Sequence, residues 1–104
     1  MSRLERTLTI TANGTLDANG DPARIAEIGL HRIIASGDFG GGTLSAFEYS
    51  STTGATTTNV TGFPLTATGA VTTNSPYYQL SLAGATAPDI TIVVTPIISL
   101  SRDA

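Results

Sequence analysis

One imidazole, eight carboxylates and no thiol are the chemical equipment of this 104-residue chain. His31 stands between Leu30 and Arg32, with no second His and no Cys to share a metal with it. A zinc site needs several N or S ligands, and a hydrolytic triad needs an imidazole held between a carboxylate and a nucleophile. A lone His in a serine-rich chain specifies neither, so His31 reads as a structural or interface residue. Asp17, Asn19 and Asp21 alternate around Gly20 like the first ligands of a calcium loop, but the later ligands, including the bidentate Glu, are missing. A turn tied by Asx side chains is the better account. Gly37 to Gly42 is glycine-rich without a Walker spacing, and the chain has no Lys at all. It reads as a strand-to-strand corner. Asp38 and Glu48 could approach across a hairpin, yet paired carboxylates hydrolyse glycosides only in a sugar-binding cleft, and no Trp supplies a sugar platform. Asn13-Gly14-Thr15 and Asn59-Val60-Thr61 match glycosylation sequons, which Thr-rich chains produce by chance. No catalytic set, metal site or cofactor site assembles from these residues; the expectation is a chain that is not an enzyme.

The elements that position them read as β-strands. Threonine dominates the middle of the chain, and its β-branched side chain suits the pleated strand. Glu5 to Ala12 alternates, with Leu8 and Ile10 on one face and Thr7, Thr9 and Thr11 on the other. Asn13-Gly14 and Asn19-Gly20 suit the positive φ of tight hairpin turns. Ala23 to Ala35 is ambiguous: Ile25, Ile28 and Arg32 could share a helix face, but Gly29 and the isoleucines favour a strand. It is read as one long strand with a bulge at Gly29.

Thr43 to Ser50 follows the glycine corner, with Phe47 and Tyr49 on one face and Leu44, Ala46 and Glu48 on the other. Ser51 to Thr58 reads as a hydroxyl-rich loop, with short strands near Val60 and Val71. Pro76 opens a strand whose Tyr78, Leu80 and Leu82 face the core while Tyr77, Gln79 and Ser81 face outward. Asp89 to Thr95 is the last strand; Pro96 has no N–H for a ladder, so there the strand becomes an edge or leaves the sheet. The sum is an all-β fold, a single antiparallel β-sandwich of about seven strands, Ig-like or jelly-roll-like. One domain spans 1–104, with an N-terminal arm (1–6) and a C-terminal extension (97–104).

Composition narrows the partners. A domain of this length buries roughly two thirds of its unfolded surface. Only 12% of residues are charged, about half the usual fraction of roughly 25%. A surface of Thr, Ser, Gly and Ala is easier to desolvate than one of Lys and Glu. Two readings stand side by side: a surface covered by neighbouring subunits, or a Thr-rich exported β domain. The net charge of −3 and five arginines, of which only Arg3 and Arg6 could cluster locally, argue against nucleic acid and anionic membrane. The N-terminus lacks the apolar stretch of a secretory signal, and the longest apolar run, Ile92 to Ile98, is interrupted by Thr95 and Pro96.

Ile34 to Ser50 (IASGDFGGGTLSAFEYS) and Leu80 to Val94 (LSLAGATAPDITIVV) resemble small virion proteins of tailed bacteriophages. The shared order is strand, glycine-rich corner, strand ending in Tyr-Ser, Thr-rich loop, strand, Gly-Ala-Thr turn, strand, and it covers Ile33 to Pro96. Other versions often carry a Trp after the Tyr-Ser, which this chain lacks. The resemblance implies a β-sandwich located in the virion, assembled in the host cytoplasm. On it the chain is expected to be a capsid decoration (cement) protein, bound to the major capsid protein and to copies of itself. A neck or tail component, such as a connector or fibre-base subunit, is the first alternative, and a carbohydrate-binding adhesin the second. The expected partner interface is Arg3, Leu4 and Arg6 at one end of the chain, Ile97, Ile98 and Leu100 beyond Pro96 at the other, and Tyr77 as an aromatic anchor.

Overall fold

The computed structural model describes residues 6–27, 29–49 and 56–97. Every element in it is a strand: β1 (Arg6–Ile10), β2 (Arg24–Ala26), β3 (His31–Asp38), β4 (Thr43–Tyr49), β5 (Thr56–Asn59), β6 (Gly69–Thr73), β7 (Tyr77–Ala83) and β8 (Asp89–Pro96). Among the described residues no helix is long and apolar enough to cross a membrane.

The strands pair as a nested hairpin. β1 pairs with β8, β2 with β7, β3 with β6 and β4 with β5, all antiparallel. Folding that ladder over puts alternate rungs in opposite sheets, and the β3–β8 and β4–β7 pairings join them. The result is two four-stranded sheets, β1-β8-β3-β6 and β2-β7-β4-β5. This is jelly-roll connectivity, and it decides between the two sandwich types the sequence allows.

Alternation explains the core. Ile33 and Ala35 on β3 and Ile90, Ile92 and Val94 on β8 are buried from one sheet; Leu44, Ala46, Tyr78, Leu80 and Leu82 meet them from the other. The connections β1–β2, β3–β4, β5–β6 and β7–β8 gather at one end, the corner end. The β2–β3 and β6–β7 connections, the start of β1 and the end of β8 gather at the opposite end, called the terminal end below.

Several expectations change. Ala23 to Ala35 is not one strand: β2 and β3 lie in different sheets, and the chain crosses between them at Gly29, whose φ is +95°. Ala23, Ile25 and Glu27 are buried before the crossing and His31, Ile33 and Ala35 after it, so the same parity points inward on both sides, with only Gly29 exposed between them in that phase. A period of two cannot report a crossing that preserves parity. Asn13-Gly14 is not a hairpin tip either, because β1 and β2 are in different sheets; Gly14 instead bridges to Leu82. Asp38 and Glu48 do not face each other across a hairpin. Asp38 ends a β3 paired with β8, while Glu48 stands opposite Tyr78 in the other sheet. β5 begins at Thr56, inside the segment read as a loop; residues 51–55 lie outside the described ones. β8 is an interior strand up to Val94, where its β1 pairing starts, and it ends at Pro96 opposite His31.

Candidate functional site

The terminal end is built around a polar pair inside the core. His31 opens β3 on its inward side, and Tyr78 is the first inward residue of β7, so the sandwich brings together two side chains 47 residues apart. Both are fully buried. Their rings stack with centroids 5.7 Å apart and planes 3° from parallel. Nδ1 of His31 lies 2.9 Å from the Gly29 carbonyl, which can only accept, so Nδ1 carries the hydrogen of that bond. In that neutral tautomer Nε2 is an acceptor, and the Tyr78 hydroxyl donates to it at 2.6 Å.

Burial pushes the Tyr78 hydroxyl well above the usual phenol range; Arg6 pulls the other way, and Glu27 adds to the rise. The phenol therefore stays a donor, as the bond to His31 requires. Both imidazole nitrogens are engaged and neither ring is exposed, so the pair acts as a clamp between the sheets. This places His31 among structural histidines.

Around that clamp the end face is laid out by bonds to backbone carbonyls. Arg6 donates from Nη1 to the Ala26 carbonyl at 3.3 Å, tying the edge of one sheet to the edge of the other. Ala26 stands opposite Tyr77, and Glu27 N–H donates to the Pro76 carbonyl at 3.0 Å. Ile97 N–H donates to the Leu30 carbonyl at 3.0 Å. Arg6, Tyr77 and Ile97 thus come to one end of the sandwich. Arg3, Leu4, Ile98 and Leu100, the other expected interface residues, lie outside the described residues.

Sequence reasoning missed Leu30. It is 46% exposed, and Tyr77 is 37% exposed; with Leu16 they are the exposed large hydrophobic residues among those described. Leu30 looked like an ordinary member of a long strand. Its signal was Gly29: once the strand starts at His31 with that residue inward, Leu30 falls on the outside.

Beside Leu30 a groove of about 670 Å³ runs between the edge strands β5 and β6, lined by Glu48, Asn59, Thr72, Asn74 and Ser75 among others. Ser75 donates its hydroxyl to the Glu48 carboxylate at 2.5 Å. Its lining offers hydroxyls and amides for hydrogen bonding, next to one apolar side chain.

The remaining candidates belong to the corner end. Asp17 Oδ1 accepts the N–H groups of Asn19 at 2.9 Å and Asp21 at 3.0 Å, which is the Asx turn the spacing suggested. The Gly37–Gly42 segment carries the chain from β3 to β4, hence from one sheet to the other. Gly40 N–H donates to Asp38 Oδ1 at 2.8 Å, and the Gly40 carbonyl accepts Thr86 N–H at 2.9 Å. A Cβ on Gly40 would come within 2.3 Å of the Thr86 oxygen, so the corner admits only glycine there. No protein-family model, curated protein or solved structure matches this chain.

Proposed function

We propose that the chain is a structural protein of a phage virion, a capsid decoration protein that docks its terminal end on the outer shell. One observation carries this reading: Leu30 and Tyr77, two of the three exposed large hydrophobic residues described, sit on the same end of the sandwich as Arg6 and Ile97. Exposed apolar and aromatic side chains gathered on one face are the usual mark of a contact surface, with Tyr and Arg favoured as anchors. Low charge lowers the desolvation penalty of such a contact. The β-sandwich architecture and the resemblance of residues 33–96 to small phage virion proteins support the same reading, the architecture only by analogy, since jelly rolls serve many functions.

The mechanism is mechanical. Each copy bridges adjacent capsid subunits, and a symmetric array multiplies modest contacts into a large resistance to internal DNA pressure. Partners are the major capsid protein and further copies of this chain.

Quantitative mass spectrometry of purified particles tests the proposal. A copy number on the order of hundreds, commensurate with the shell's symmetry, fits decoration. A handful of copies would move the chain to the neck or tail, and absence from the particle would end the virion reading.

A further inference from the structure

The β1–β2 connection carries two Asn-Gly pairs, and the fold treats them differently. An Asn followed by Gly is chemically labile because the next backbone nitrogen meets no side chain in its way. That nitrogen attacks the carboxamide carbon. A new C–N bond forms, ammonia leaves, and the resulting succinimide is opened by water to aspartate or isoaspartate.

At Asn13 both reactants are held. Its Nδ2 donates to the Ala85 carbonyl and its Oδ1 accepts Ala85 N–H, each at 2.9 Å. The attacking nitrogen, that of Gly14, donates to the Leu82 carbonyl at 2.8 Å, while Leu82 N–H returns a bond to Gly14 at 2.9 Å. Attack there requires the carboxamide to turn away from Ala85 and the Gly14 bridge to open together.

At Asn19 the constraints are local. The residue is exposed at the tip of the Asp17–Asp21 turn, and its carboxamide has no hydrogen-bond partner among the described residues. The Gly20 nitrogen is held only by a 3.0 Å bond to the Asp17 carbonyl inside the same turn. Opening that bond disturbs no strand.

We propose that Asn19 is a site of spontaneous deamidation in the folded protein and that Asn13 is protected from it. Conversion adds a negative charge between Asp17 and Asp21. The isoaspartate product also lengthens the backbone inside the turn, displacing the N–H groups that Asp17 Oδ1 accepts. The change stays within the tip, leaving β1 and the core packing in place.

The test is peptide mapping by mass spectrometry, with enzymatic labelling of isoaspartate, after incubation at mildly alkaline pH in native buffer and in parallel in urea. In native buffer Asn19 converts at least about tenfold faster than Asn13, because two side-chain bonds and the Gly14 bridge must break first at Asn13. In urea the two rates converge, since both are Asn-Gly. Equal rates in native buffer would overturn the proposal, and so would an unconverted Asn19.

Discussion

At the corner end the connections are pinned to one another's backbone, by the two side-chain bonds of Asn13 to Ala85 and by Gly40 meeting Thr86 where no side chain fits. At the terminal end a buried side-chain pair, His31 with Tyr78, holds the interior, while bonds from Arg6 to Ala26, Glu27 to Pro76 and Ile97 to Leu30 tie the rim. Leu30 and Tyr77 are left on the outside of that end, while Leu16 is the one large hydrophobic residue exposed on the β1–β2 connection. Both ends carry the chain between sheets, and one crossing at each passes through a glycine with positive φ, Gly40 between β3 and β4 and Gly29 between β2 and β3. The difference lies in what surrounds the crossing. One end interlocks its connections around a glycine that admits no side chain, and the other crosses beside a buried side-chain pair with Leu30 and Tyr77 partly exposed above it.

The largest effect is expected at the corner. Gly40→Ala combines a φ of +60° with a Cβ driven into the Thr86 carbonyl. Backbone strain and overpacking together should cost about 2–5 kcal/mol, read as a fall in the thermal midpoint. A variant that melts like the parent would show that the corner yields more readily than its contacts imply.

Next comes the clamp. Tyr78→Phe leaves Nε2 of His31 without its donor in a fully buried site, which should cost about 1–3 kcal/mol. Replacing both residues, His31→Leu with Tyr78→Phe, removes the orphaned atom and should recover part of the loss. Tyr78 also sets an alkaline limit. Its folded pKa is raised above the unfolded value of about 10, so its contribution is intact below that pH and is lost as pH climbs further. Denaturant titrations across that range should show the parent losing stability faster than Tyr78→Phe; parallel curves would remove Tyr78 from the explanation.

Asn13→Ala should do less. Its two bonds to Ala85 are exposed, so their loss should cost about 1 kcal/mol by chemical unfolding. A loss equal to that of Gly40→Ala would mean that the β1–β2 and β7–β8 connections depend on Asn13 for more than two bonds.

Much of this fold is legible in the sequence, for a physical reason. Tyr78, Leu80 and Leu82 alternate with Tyr77, Gln79 and Ser81, and a half-buried strand imposes that pattern directly. The same rule fails over Ala23 to Ala35, where inward parity continues across a change of sheet and only Gly29 marks the break. Asp38 and Glu48 mislead because closeness along the chain says nothing about which sheet receives the next strand. The site is legible in part. Tyr77 follows from its outward parity, but the His31–Tyr78 clamp joins residues 47 apart and exists only once β3 and β7 face each other. Leu30 is visible only after the strand boundary at His31 is known.

A modest effect on stability should accompany the largest effect on the proposed contact. Leu30→Ser with Tyr77→Ala changes side chains that are less than half exposed, so stability should fall by no more than about 1 kcal/mol per substitution. Co-sedimentation of this folded double variant with purified capsid shells of the proposed source phage, beside the parent and Asn13→Ala, tests the terminal end as the contact face. Retained binding by Asn13→Ala with loss of binding by the double variant is the predicted result. Parent-like binding by the double variant would contradict it.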